Sequence, residues 1–118
     1  MKKNKNILLT GDSKGLGLEI SKSLITEGYN VIGVSRTSKC LQFDLSSVES
    51  IKKFYFEKIK PLGPVHGFIN NAAVAYDDLI TNLKVDDLRQ MYNINVFSPM
   101  LLTKYVIRDM LLNNVKGS

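Results

Sequence analysis

Eight residues near the start of the chain, "TGDSKGLG" from Thr10 to Gly17, have the composition and the spacing to hold a phosphate. They follow a short apolar run, "NILLT" (Asn6–Thr10), and lead into a stretch with Leu16, Ile20 and Leu24 at four-residue intervals. That order reads as strand, turn and helix. A helix N-terminus presents free backbone N–H groups and the positive end of a dipole. Glycines allow the tight turn, a close approach of backbone to pyrophosphate, and close packing of helix on strand. No Gly-Lys-Ser/Thr follows, so a Mg-bound nucleoside triphosphate is not the expected ligand.

A second chemical signal is the proline in "NINVFSPMLLT". Pro99 sits in an otherwise helical pattern and has no N–H for the carbonyl four residues back, that of Asn95. The sequence leaves two outcomes open: a kink that turns the Asn95 carbonyl to another partner, or a break between two shorter helices. Other chemistry is thinly represented. Cys40 is the only cysteine and His66 the only histidine, which argues against a disulfide framework, a metal site or a histidine triad. Cys40 is expected to be a small buried residue and His66 a turn residue.

These groups need elements to position them. The strand at Asn6–Thr10 and the helix ending near Gly28 are followed by "NVIGVS" (Asn30–Ser35), a second buried strand, completing a βαβ unit. "CLQF" (Cys40–Phe43) reads as a short third strand. Only Arg36–Lys39 precede it, and four extended residues span at most about 14 Å. A parallel crossover normally takes a dozen residues. An extended link must therefore replace the usual helix, or "CLQF" is barely a strand. Ser46 and Glu49 have the spacing of a capping box. The helix after them carries Val48, Ile51, Tyr55 and Ile59 on one stripe to about Lys60, with "FYF" (Phe54–Phe56) divided between core and surface. "HGFIN" (His66–Asn70) reads as the fourth strand. Asp86 and Asp87 suit the first turn of a helix that runs to about Leu112. The loop between, "VAYDDLITN", falls at the carboxyl ends of the strands, where ligands bind in such sheets. The pattern implies an α/β fold of Rossmann type, a doubly wound parallel sheet of about four strands, as one domain over residues 1–118.

At this point the sequence resembles the short-chain dehydrogenase/reductase family. Thr10, Gly11, Gly15 and Gly17 match the T-G-x-x-x-G-x-G loop of that family, Asp44-Leu45 its acid beside the adenine, and "NNAA" (Asn70–Ala73) its N-N-A-G motif with Ala73 for glycine. Asn95 in "NINVF" matches the helix asparagine of its catalytic tetrad. The resemblance implies a nicotinamide dinucleotide held by Gly11, Ser13, Lys14, Gly15, Leu16 and Gly17, by Arg36 and Thr37, by Asp44 and Leu45, and by Asn71, Ala72 and Ala73. It gives Asn95 a catalytic part, through a carbonyl that holds a water. No acid stands at Ser35 or Arg36, where an NAD site would place one for the ribose hydroxyls. Lys14 and Arg36 occupy the two basic positions that accompany NADP in the family, so NADP is expected over NAD.

The family's remaining chemistry is a tyrosine with a lysine four residues later. The residues four beyond Tyr29, Tyr55, Tyr76, Tyr92 and Tyr105 are Gly33, Ile59, Ile80, Val96 and Asp109. None is lysine. The chain is thus expected to be either the N-terminal part of a longer NADP-dependent oxidoreductase, acting on a carbonyl or alcohol substrate, or a short form that is inactive alone. The alternative is a non-catalytic dinucleotide-binding or interaction module. A methyltransferase is disfavoured, since its ribose would want the same missing acid. A bare fourth-strand edge, and a last helix short of partners for Leu102, Val106 and Met110, imply homo-oligomers. The net charge of +5 comes from scattered lysines, with no basic run to suggest nucleic acid. The absence of an 18-residue apolar run, or of a signal-peptide core in "MKKNKNILLT", gives no membrane span and a cytoplasmic expectation.

Overall fold

The computed structural model describes residues 5–118. Strand β1 (Asn6–Thr10), helix α1 (Gly15–Thr26) and strand β2 (Asn30–Ser35) form the βαβ unit, the strands pairing in parallel from Asn6 with Asn30 to Thr10 with Val34. α1 ends at Gly28. Its φ of 95° lets the N–H groups of Gly28 and Tyr29 reach back to the carbonyls of Ile25 and Leu24, both at 3.0 Å. The apolar stripe of α1 does not begin at Leu16, which is 70% exposed; Gly17 is the buried residue of that helix.

Strand β3 is only Leu41–Gln42, paired with Val34 and Ser35 at the very end of β2. That location removes the need for a helical crossover. The chain must move one strand spacing sideways, about 4.8 Å, and only a residue or two backward. Arg36–Cys40 suffice. Ser38 is buried in this link, whereas Cys40 is exposed, contrary to expectation, because the link turns it outward.

The next helical stretch runs from Val48 to Leu62 as a 3₁₀ turn (Val48–Ser50), helix α2 (Ile51–Phe54), a π turn (Tyr55–Ile59) and a second 3₁₀ turn (Lys60–Leu62). Ile51, Tyr55 and Ile59 are buried along the expected stripe. The Ser46–Glu49 capping box does not form. Asp44 Oδ1 instead accepts both the N–H of Ser46, at 2.9 Å, and its hydroxyl, at 2.7 Å. A carboxylate two residues back competes successfully for the serine.

Strand β4 (Val65–Ile69) completes a four-stranded parallel sheet in the order β3-β2-β1-β4. Its register slips between Asn6 and Ile7 of β1, and His66 sits at the slip. His66 is therefore a strand residue, not a turn residue. Its Nδ1 accepts the backbone N–H of Asn6 at 3.0 Å, so a side chain serves a group that the disturbed ladder would otherwise leave unpaired.

Helix α3 (Val85–Tyr92) carries Asp86 and Asp87 in its first turn and passes through a π turn (Asn93–Phe97) into helix α4 (Ser98–Leu112). The proline does not split the helix. Pro99 lies in the first turn of α4, and the π turn just before it absorbs the irregularity. Leu102 and Val106 of α4, expected to lack partners, are 1% and 2% exposed in the core. The uncovered apolar residues of α4 are instead Met100, Ile107, Leu111 and Leu112. The expected bare edge of β4 is partly paired: Ser118 donates its N–H to the His66 carbonyl at 3.1 Å and accepts that of Phe68 at 2.9 Å.

Tyr55 and Asp109 form a buried side-chain pair in the core. Tyr55 donates its hydroxyl to Asp109 Oδ2 at 3.2 Å, and the Asn113 amide reaches Oδ1 of the same carboxylate at 3.3 Å. Burial, then the Asp109 charge, then this hydrogen bond push the Tyr55 hydroxyl well above the ordinary tyrosine range. No helix among the described residues is long and apolar enough to cross a membrane.

Candidate functional site

The strand order reverses direction at β1, with β2 on one side of it and β4 on the other. In an open α/β sheet, the loops leaving the carboxyl ends of the strands part at such a point and leave a crevice. Here the crevice is a cleft of about 560 Å³. One wall is the turn after β1, with Gly11, Ser13 and Lys14. The second is the turn after β2, with Ser35, Arg36 and Thr37. The third is the turn after β3, with Asp44 and Leu45, and the fourth is the turn after β4, with Asn71, Ala72 and Ala73. Four sequence segments expected to share a ligand therefore face one space.

The glycine turn is held by its backbone. Gly11 adopts φ 70° and donates its N–H to the Val34 carbonyl at 2.8 Å, while Gly15 adopts φ 59° with open space where a Cβ would stand. The helix bonds of α1 start with the N–H of Leu18 on the Lys14 carbonyl. The N–H groups of Gly15, Leu16 and Gly17 thus precede the first helical bond. Among the described residues, no side chain caps the helix at Lys14, and no acid occupies its first turn. An anion would satisfy these donors and the dipole behind them. Gly15, Leu16 and Gly17 do not themselves line the cleft. What they can offer is this uncapped helix end and, at Gly17, close packing.

At the β2 side, three hydroxyls meet. Ser13 Oγ accepts from Ser35 Oγ at 3.0 Å and from Thr37 Oγ1 at 2.9 Å, and Lys14 and Arg36 border the same corner. Two cations and a cluster of hydroxyls form a site chemically suited to a phosphate monoester. Among the described residues, Asp44 is the one acid on the cleft wall. Its carboxyl is held below the usual range, chiefly by the Ser46 N–H and with help from the Arg36 charge, so it stays an acceptor for its own turn. That turn is anchored from behind, where the buried Ser98 hydroxyl donates to the Leu45 carbonyl and Asn93 Nδ2 to that of Ser46.

The turn after β4 hangs on Thr10. Its fully buried hydroxyl oxygen accepts the N–H groups of Asn71 and Ala72, each at 3.1 Å, and donates to Asn70 Oδ1 at 3.2 Å. Asn71 Nδ2 closes the ring on the Gly11 carbonyl at 3.0 Å. Asn95 is exposed and does not line the cleft. Its side-chain amide clamps Val74, accepting the Val74 N–H at 2.9 Å and donating to the Val74 carbonyl at 2.7 Å. The remaining wall residues, Phe43, Val74, Tyr76, Gln90 and Ile94, have no motif of their own. Tyr76 comes from the loop that the sequence marks as facing the ligand side, and its hydroxyl pairs with Gln90 at 3.0 Å.

The family model described as short chain dehydrogenase matches residues 5–118. The L-xylulose reductase of Caenorhabditis elegans is 30% identical over 98% of this chain and 51% of its own length. A 3-oxoacyl-acyl-carrier-protein reductase of Buchnera aphidicola is 33% identical over 96% of this chain and 53% of its own. The chain thus spans about half the length of these curated relatives. Among solved structures, 4-hydroxyisoleucine dehydrogenase complexed with NADH superposes with a TM-score of 0.89 at 22% identity, over 97% of this chain and 53% of that one. A short chain dehydrogenase from Burkholderia cenocepacia in complex with NADP gives 0.81 at 21% identity, over 91% and 51%. These likenesses establish a shared Rossmann-type fold.

Proposed function

The chain belongs to the short-chain dehydrogenase family of oxidoreductases, and from that premise we propose that it binds a nicotinamide dinucleotide in the cleft, with NADP preferred over NAD. The observation that carries this reading is the corner where Ser13, Ser35 and Thr37 share hydrogen bonds beside Lys14 and Arg36. A 2′-phosphate would find two cations and three hydroxyls there, and no acid at the end of β2 to repel it. The uncapped start of α1 would take the pyrophosphate, and the Asp44–Leu45 and Asn71–Ala73 turns would enclose the rest. Bound there, the dinucleotide supplies a hydride donor or acceptor for a carbonyl or alcohol of a small molecule. Asn95 acts as a positioning residue, holding Val74 and with it the end of the Asn71–Ala73 turn. We take residues 1–118 as the cofactor-binding part of this activity, with no Tyr-x-x-x-Lys pair among them.

Titration with NADPH and NADH tests the proposal. NADPH is expected to bind more tightly, and Arg36→Asp to reverse the order, since a charge-assisted contact of about 1.5–3 kcal/mol is replaced by repulsion. Weak or absent binding of both dinucleotides, to a similar degree, would overturn the cofactor assignment.

The partner in self-association is proposed to be a second copy, docked on the outer face of α4. Met100, Ile107, Leu111 and Leu112 line up there around Thr103, Lys104 and Arg108 as a shallow apolar hollow. Leu111, at 76% exposure, and Leu112, at 68%, are the most open. Analytical ultracentrifugation should show a concentration-dependent dimer that Leu111→Glu disperses; a monodisperse monomer at high concentration would rule this face out.

A further inference from the structure

Asp12 is the acid inside the glycine loop, and its carboxylate is not part of the cleft wall. It packs against the bare backbone of Gly33 in β2, where an added Cβ would stand 1.9 Å from Oδ2. That oxygen accepts the hydroxyl of Ser38 at 2.9 Å, and Oδ1 is buried with no partner among the described residues. Burying a carboxylate is costly, so the group is held there by what Oδ2 and the packing provide. Ser38 is itself a hub. Its Oγ accepts the Cys40 N–H at 3.0 Å and lies 3.2 Å from the Gly33 carbonyl. It is the buried residue of the link 36–40, whose other four members are exposed.

The geometry follows from two consecutive loop residues. Ser13 ties Ser35 and Thr37, and Asp12 ties Ser38. Arg36 lies between the tied Ser35 and Thr37, and Thr37 is followed directly by the tied Ser38. The link has no helix and no apolar anchor of its own, so its hydrogen bonds decide where the guanidinium and the Thr37 hydroxyl stand. A carboxylate is the stronger acceptor for such a tie. We propose that the Asp12–Ser38 pair, seated on Gly33, is a positioning device for the Arg36–Thr37 corner and thereby a determinant of selectivity for the 2′-phosphate. This rests on the dinucleotide reading above.

The test uses two fragments as probes: adenosine 2′,5′-bisphosphate, which carries the 2′-phosphate, and 5′-AMP, which does not. Calorimetric titration of the wild-type protein should favour the bisphosphate. Asp12→Ala and Ser38→Ala are each expected to weaken the bisphosphate about tenfold, as a misplaced contact does, while 5′-AMP stays within about twofold. Asp12→Asn keeps the acceptor and should keep the wild-type ratio. Gly33→Ala, which displaces the carboxylate sterically, should behave as Asp12→Ala. An unchanged ratio in Asp12→Ala and Ser38→Ala overturns the inference, and so does equal loss of both probes, which is the mark of a merely structural role. A wild-type protein that binds neither probe overturns the dinucleotide reading itself, and one that binds both alike overturns the NADP preference on which the inference rests, before any variant is made.

Discussion

Replacing Gly17 with alanine is expected to be the most damaging single-methyl change in the molecule. The added Cβ would stand 1.7 Å from the Gly11 carbonyl oxygen, 2.7 Å from its carbon, and 2.6 Å from Asn71 Nδ2. A side chain could rotate away, but a backbone carbonyl cannot. Gly11 is fixed by its positive φ and by its bond to Val34. Helix α1 must therefore lift off the loop, and the loss should be about 3 kcal/mol or more, at the top of the usual range for overpacking. Gly15→Ala provides the contrast: it has open space and suffers only from φ 59°, a cost of about 1–2 kcal/mol. Urea unfolding of both variants decides the matter. A Gly17→Ala protein within about 1 kcal/mol of wild type would mean that the loop and helix are less tightly joined than these distances require.

The second large effect is expected at Thr10. Thr10→Val keeps the shape and removes the oxygen. Two N–H groups, of Asn71 and Ala72, then lose their acceptor, and Asn70 Oδ1 loses its donor. Each unmet, partly buried group costs about 1–3 kcal/mol, so a total of about 2–4 kcal/mol is expected after relaxation. The damage should be local as well as global. Amide exchange at Asn71 and Ala72 should accelerate far more than at the core residues of β1, because the turn is released before the sheet opens. Thr10→Ser, which retains the oxygen, should preserve both protections. Unchanged exchange at these two amides in Thr10→Val would show that the turn does not depend on the hydroxyl.

Both predictions concern residues whose types were conspicuous in the sequence, though their partners were not. The glycine spacing, the apolar runs and the Gly28 stop are local properties, so the strand–turn–helix order and the parallel sheet could be read from neighbouring residues alone. The same is true of the Ile51–Tyr55–Ile59 stripe. The misjudged features are those settled by competition or by distant segments. Ser46 had the right spacing for a cap, yet Asp44 was nearer. Cys40 had the character of a buried residue, but the link that carries it turns outward. Leu102 and Val106 needed partners, and the helical stretch from Val48 to Leu62 and the core supply them.

What the sequence determined by itself is the set of turns that end near one another. A parallel sheet puts the carboxyl ends of its strands on one side, so any glycine, basic or asparagine-rich turn following a strand must arrive there. That is enough to bring Gly11, Arg36, Asp44 and Asn71 to one cleft. Tertiary structure alone decided how each turn is held in place. Thr10 reaches Asn71 and Ala72 across some sixty residues, Asp12 reaches Ser38 across 26, and Ser98 reaches Leu45 across 53. Such contacts depend on ångström-scale placement of groups that share no periodicity, and no pattern along the chain encodes them. They exist only once the sheet has brought their backbones together.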